Sequence, residues 1–223
     1  MARHAQLLGE SRSPGGAGWQ QTGWREKRSH RIRCPRDGDS AFAISAEVSR
    51  TSEISRLLDQ AGNRFGGLNF FLNNAVVLQV GAVEQITEEQ WDRAFSLKVR
   101  SVWLLSRAAL PHMRKAGGNS IINLASVLGM VAARNRSARA PSKGAMVQPT
   151  KGMAIDHGHE NIRVNAICRS FVESELTAHL VGQAPDAAAY RRKKTAAHPM
   201  GRLGRPEDVA GPAVPWPAMN HPG

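Results

Sequence analysis

Ser126, Arg139 and Lys143 place a hydroxyl, a guanidinium and an ammonium within one short stretch, with the two cations four residues apart. Residues at that spacing share a helix face, so Arg139 and Lys143 are presented together. A serine hydroxyl can hydrogen-bond a substrate oxygen. The arginine cannot act as acid or base near neutrality, because its guanidinium stays protonated up to about pH 12. It can only polarise an oxygen. Tyr190 is the only tyrosine of the chain and stands far from this motif in sequence, so no phenol is expected to take over. As plain structure, Ser126 would be a serine closing a strand and Lys143 a solvent-facing helical lysine.

The elements that must position these groups are legible through the middle of the chain. Thr51 is placed to cap a helix whose apolar positions Ile54, Leu57, Leu58, Ala61 and Phe65 follow helical spacing, with Gly66 and Gly67 ending it. A strand over Leu68 to Leu72 then leads to Asn73. Thr87 and Gln90 form a capping box for a long helix through Trp91, Phe95, Val99, Val102, Leu105 and Met113, stopped by Gly117 and Gly118. A strand over Ser120 to Ala125 delivers Ser126. The next helix carries Arg139 and Lys143, and Pro149 is expected to kink or stop it at a cost of about 3 kcal/mol. A β-branched strand over Ile162 to Ile167 follows. Pro206, Glu207 and Asp208 make a good helix start, which Gly211, Pro212, Pro215 and Pro217 are expected to cut short.

The two ends read differently. Up to about Ser40 no four-residue apolar run has strand character, and Gly15, Gly16 and Gly18 lack the strand before and helix after that a phosphate-binding turn needs. The expected organisation is therefore a basic Gly/Pro-rich loop or disordered segment over 1–40, one α/β domain over 41–210 and a Pro-rich tail over 211–223.

Composition narrows the class. A chain of 223 residues holds one domain with a proper core. The net charge of +12 invites a polyanion-binding hypothesis, since clustered Lys and Arg release condensed counterions on meeting phosphate. Much of the excess sits before Gly38 and in Arg191 to Lys194, which reads as a solvated tail and a solvated helix face. No aromatic-interleaved basic pattern or finger spacing supports a nucleic-acid site. Cys34 and Cys168 are too isolated for a disulfide framework or metal site, which points to a reducing compartment, the cytoplasm. No run of eighteen apolar residues offers a membrane span. Glu10, Glu26 and the Pro-Gly breaks deny the Arg-rich front end the continuous amphipathic helix of a transit peptide.

Five blocks carry a family resemblance from about Ala46 to Ala210: Phe65 to Val76 (FGGLNFFLNNAV), Ser120 to Gly129 (SIINLASVLG), Arg139 to Lys143 (RAPSK), Asn161 to Thr177 (NIRVNAICRSFVESELT) and His198 to Val209 (HPMGRLGRPEDV). In this order and spacing the chain resembles the short-chain dehydrogenase/reductase family. The resemblance implies a Rossmann-like, doubly wound parallel α/β sheet, incomplete here because the first two strands and the last are not recognisable. Missing blocks at both ends are what a truncated or frame-shifted relative would show.

It also implies chemistry: hydride transfer between NAD or NADP and an alcohol or ketone, with a tyrosine moving the proton. Arg139 stands in that tyrosine's slot. By the same resemblance Ser126 holds the substrate oxygen and Lys143 the nicotinamide ribose. Lys98 replaces an asparagine that holds a water in the proton relay. For the cofactor, Asn73 and Ala75 match positions near the adenosine ribose. Glu47, with Val48 beside it, stands where an aspartate would meet the adenine, and Ser174 where a threonine would touch the nicotinamide amide. Arg169 and Ser170 replace a Pro-Gly turn. Without a phosphate-binding turn, dinucleotide binding is expected to be weak.

If the family geometry held, Lys98, Arg139 and Lys143 would converge, and like charges about 4 Å apart repel by about 4 kcal/mol at an effective dielectric of about 20. Either an anion fills such a site or the site does not assemble, and non-assembly is the favoured expectation. Losing a positioned general acid removes a factor of about 10² to 10⁴ in rate. Three readings stand: an oxidoreductase of strongly impaired activity, a catalytically silent relative that at most pairs as a homo-oligomer through its two long helices, and, least favoured, a basic nucleic-acid binder.

Overall fold

The structure is a computed structural model that describes residues 4–7 and 44–213, with the backbone alone for residues 4–7, 175 and 176. Gly15, Gly16, Gly18, Cys34 and residues 214–223 lie outside the described residues. Among the described residues four strands, β1 (His4–Leu7), β2 (Phe70–Asn73), β3 (Asn119–Leu124) and β4 (Ile162–Ile167), form one parallel sheet in that order. Phe71 stands opposite Ile121, and Ile121 opposite Val164. All three are buried, as parallel strands covered by helices on both faces require. The α/β class with a parallel sheet is as the sequence implied.

β1 departs from the expectation of loop. His4 to Leu7 pairs in parallel with Phe70 to Asn73. The segment HAQL has no apolar run, but strand pairing is made by main-chain N–H and C=O groups, and β2 supplies a pre-existing edge that overrides local pattern.

Helix α1 (Thr51–Phe65) turns Ile54, Leu57 and Leu58 inward and ends where Gly66 adopts φ 70°. Thr51 is its first residue rather than its cap. Arg50 holds the N-cap in extended geometry without a side-chain bond, because a guanidinium has no acceptor to offer the first-turn amides; its own N–H closes a turn onto the Glu47 carbonyl at 3.0 Å. After β2, the Thr87–Gln90 capping box opens α2 (Glu88–Phe95) as expected.

The long helix that follows is not one regular element. A single π turn spans Ser96–Arg100 before α3 (Ser101–Lys115), and Ser101 N–H bonds to the carbonyl of Ser96, five residues back. That extra residue rotates the inward face. Leu97, Lys98 and Ser101 are buried, while Trp91, expected in the core stripe, is 40% exposed and stacks on Phe95. Turns of this kind gather at functional sites.

Helix α4 (Arg139–His157) runs through Pro149 without stopping. Tertiary bonding beside the proline supplies the reason: Thr150 Oγ1 donates to the Met146 carbonyl at 2.7 Å and accepts from Asn123 Nδ2 of β3 at 2.8 Å. α5 (Glu175–Gly182) and α6 (Ala187–Ala196) follow. α7 (Pro206–Ala213) runs past Gly211 and Pro212, so the expected boundary at 210 falls inside a helix. The core gathers Ile54, Leu57, Phe71, Leu105, Met113, Ile121 and Ile162. Among the described residues no helix is long and apolar enough to cross a membrane, and no His/Cys/Asp/Glu group could hold a metal.

Candidate active site

β3 ends at Leu124, and Ser126 follows in extended conformation, capping a 3₁₀ turn over Val127–Gly129 by accepting from the Leu128 N–H at 3.3 Å. Gly129 then presses on α4. A Cβ there would lie 2.8 Å from the carbonyl carbon and oxygen of Lys143, so only glycine lets the serine-bearing turn pack against the lysine-bearing helix. Lys143 Nζ reaches back across this contact to donate to the Leu124 carbonyl, and lies 3.3 Å from Met146 Sδ. Ser126 and Lys143 are thus fixed by one junction of β3 and α4, both buried.

Lys98 enters from the π turn with no exposed surface. Its Nζ donates to Gln79 Oε1 at 3.0 Å and to Ser142 Oγ at 3.4 Å. Burial, and next the charge of Arg139, hold its pKa down to about 7. Lys143 is also held to about 7, by burial first and then by Lys98, Arg139 and Arg169. Arg139 falls to about 10 through burial and through Arg169 and Arg136, so it remains a cation at neutral pH. Its Nε is buried with no hydrogen-bond partner.

The three cations named from sequence therefore do converge, and the favoured expectation that the site would not assemble is overturned. Helical phase is the reason. The π turn aims Lys98 inward, and α4 brings Arg139 and Lys143 to the same place from the other side. Arg169 joins them, anchored because its carbonyl accepts the Val127 N–H at 3.0 Å, and burial lowers its pKa too. Sequence reading placed Arg169 only in an altered turn. Gln79, Ser142 and Arg136 gave no signal of a role, apart from the position of Ser142 between the two α4 cations. Tyr190, distant in sequence, comes within electrostatic reach of Arg139 and, with Phe171, lies under Lys194.

The residues matched to a dinucleotide are engaged within the chain. Asn73 is buried, its Nδ2 donating to Asn123 Oδ1 at 2.7 Å in a chain that continues to Thr150. Val48 belongs to the core, and Ala75 packs against it. Glu47 Oε1 accepts from the amide and hydroxyl of Ser49. Ser174 caps α5 through Thr177. Lys143, matched to the ribose, donates to Leu124 instead. A cavity of about 300 Å³ opens beside Val83, Trp91 and Ser137, and none of the four cations lines it.

Comparison with known proteins identifies the class. A family profile described as enoyl-(acyl carrier protein) reductase matches residues 21–215, and the chain belongs to the short-chain dehydrogenase/reductase family of oxidoreductases. It is 32% identical over 173 residues to an uncharacterized oxidoreductase of Thermotoga maritima, covering 78% of this chain and 68% of that one. It is 33% identical over 178 residues to inactive 2-(S)-hydroxypropyl-CoM dehydrogenase 2 of Xanthobacter autotrophicus, covering 79% and 77%. Among solved structures, a short-chain dehydrogenase/reductase of Burkholderia xenovorans superposes with a TM-score of 0.75 at 25% identity, covering 79% of this chain and 68% of that one.

Proposed function

We propose that this chain is a short-chain oxidoreductase whose hydride-transfer activity, between NAD or NADP and an alcohol or ketone, is strongly impaired. The observation that carries the reading is Arg139, a group still charged at neutral pH at the proton-donor position, half-buried beside the buried Lys98 and Lys143. By the family resemblance Ser126 would orient a substrate oxygen and Arg139 would polarise it. Arg139 holds its proton too tightly to deliver it at neutral pH. The bonds that Asn73, Glu47 and Ser174 make within the chain support weak cofactor binding.

The test is direct. Purified protein titrated with NADH and NADPH should show no saturable change in nicotinamide fluorescence at micromolar concentration. Turnover of a panel of alcohols and ketones should lie at least about 10² below a typical kcat of about 10 s⁻¹. Rapid turnover of any member of the panel would sink the proposal.

A second reading is a catalytically silent chain that pairs with another copy. Trp103 and Ile155, 51% and 82% exposed, support it because they lie on α3 and α4, the two helices that would pair. Light scattering on the full chain decides it, with a monomer at all concentrations counting against pairing.

A further inference from the structure

Four cationic side chains come within electrostatic reach of one another from three separate parts of the chain: the buried Lys98 from the π turn and Lys143 from α4, and the half-buried Arg139 from α4 and Arg169 from the segment after β4. Among the described residues none of them pairs with a carboxylate. Their ionisable neighbours are one another, Arg136, the Cys168 thiol and the Tyr190 phenol. Burying an ion without a partner costs several kcal/mol even after relaxation, so the two buried lysines, with two half-buried guanidinium groups beside them, are a standing penalty on the fold.

Their hydrogen-bond inventories leave donors unspent. An ammonium has three N–H groups, and Lys98 Nζ has two acceptors, Gln79 and Ser142. Lys143 Nζ has one carbonyl, that of Leu124, and a sulfur. Arg139 Nε has none. Planar guanidinium groups match oxyanions in geometry, and charge-assisted bonds to such ions are about twice as strong as neutral ones.

We propose that the cluster of Lys98, Arg139, Lys143 and Arg169 is a binding site for an oxyanion, either a small carboxylate or sulfate-type ion or the same group carried on a larger ligand. This goes beyond the oxidoreductase reading and stands independently of any turnover. Both lysines titrate near neutrality in the free protein, at about 7. A bound anion favours their charged forms, so binding takes up protons and is tightest at and below pH 7. Arg139 stays charged across that range; Arg169, Arg136, Cys168 and Tyr190 are the other ionisable groups facing the cluster.

Calorimetric titration of the purified full chain with sodium sulfate and with sodium acetate, at constant ionic strength set by chloride, tests this. Neither probe changes charge between pH 6.5 and 9. At least one is expected to bind saturably at pH 6.5 and about tenfold more weakly at pH 9. Arg139→Leu and Lys98→Met should each weaken binding by about tenfold or more while the melting temperature holds or rises, because each removes a repelling cation. Arg192→Ala on the exposed face of α6 should change nothing. Displacement of the ion by NADH would assign the oxyanion to a dinucleotide phosphate, and indifference to NADH would assign it to a small free or substrate-borne anion. Both results support the site. No saturable binding of either probe up to about 10 mM, or undiminished binding in both variants, overturns it.

Discussion

Lys98 Nζ donates to Gln79 Oε1 at 3.0 Å, a neutral amide serving as the closest partner of a fully buried ammonium. The pairing joins the loop after β2 to the π turn, and it is the one strong acceptor that Lys98 finds. Replacing Gln79 by Leu should strip this acceptor and destabilise the fold by about 1–3 kcal/mol. The loss should be larger at pH 6.5 than at pH 9, where Lys98 is neutral. Denaturant melts at the two pH values measure it, and equal losses would show that Lys98 is not charged in the folded state.

Stability should rise with pH through the neutral region. Lys98 and Lys143 both titrate at about 7 when folded, against 10.5 ordinarily. Between those values the unfolded chain holds protons that the folded chain has released, so raising pH favours folding by up to about 1.4 kcal/mol per pH unit for each lysine. Below pH 7 both states are protonated and the penalty is fully present. The melting temperature should climb from pH 6.5 to 9 in the absence of oxyanions and flatten in a Lys98→Met/Lys143→Met double variant.

Arg139→Tyr alone should not restore robust turnover. The phenol would return to its slot, but Lys98 and Arg169 would remain, and the polar groups of Asn73 and Ser174 would still be spent inside the protein. Steady-state assays with NADH and NADPH on the single variant check this. A large gain would mean that cofactor binding is better than its contacts imply.

The β3–α4 junction depends on Gly129. A methyl there meets the Lys143 carbonyl group at 2.8 Å, backbone that cannot swing away. Gly129→Ala should destabilise the chain by about 1–3 kcal/mol and displace Lys143 from Leu124. Thermal unfolding reads the first effect, and amide exchange near residue 143 the second.

Asn123 links β2, β3 and α4 by bonding Asn73 and Thr150. Asn123→Ala leaves both partners short of a bond in the core, at a cost of about 1–3 kcal/mol for each group stranded. An unfolding midpoint unchanged from the parent would contradict the network.

Local sequence determined those parts of the molecule whose forces are local. The Thr87–Gln90 box, the glycines after α1 and α3, and the β-branched strand at Ile162 to Ile167 are fixed by neighbours in the chain. The four-residue spacing likewise put Arg139 and Lys143 on one face. Tertiary structure decided the rest. The pairing of His4 to Leu7 depends on an edge offered some sixty residues later, and α4 crosses Pro149 because β3 holds Thr150 through Asn123. The inward turn of Lys98 arises from one extra residue in a helical turn, and the arrival of Arg169 from a main-chain bond to Val127. Spacing along a chain reports which charges can share a face. Whether they are buried together without a counter-ion depends on long-range packing, which no local pattern encodes.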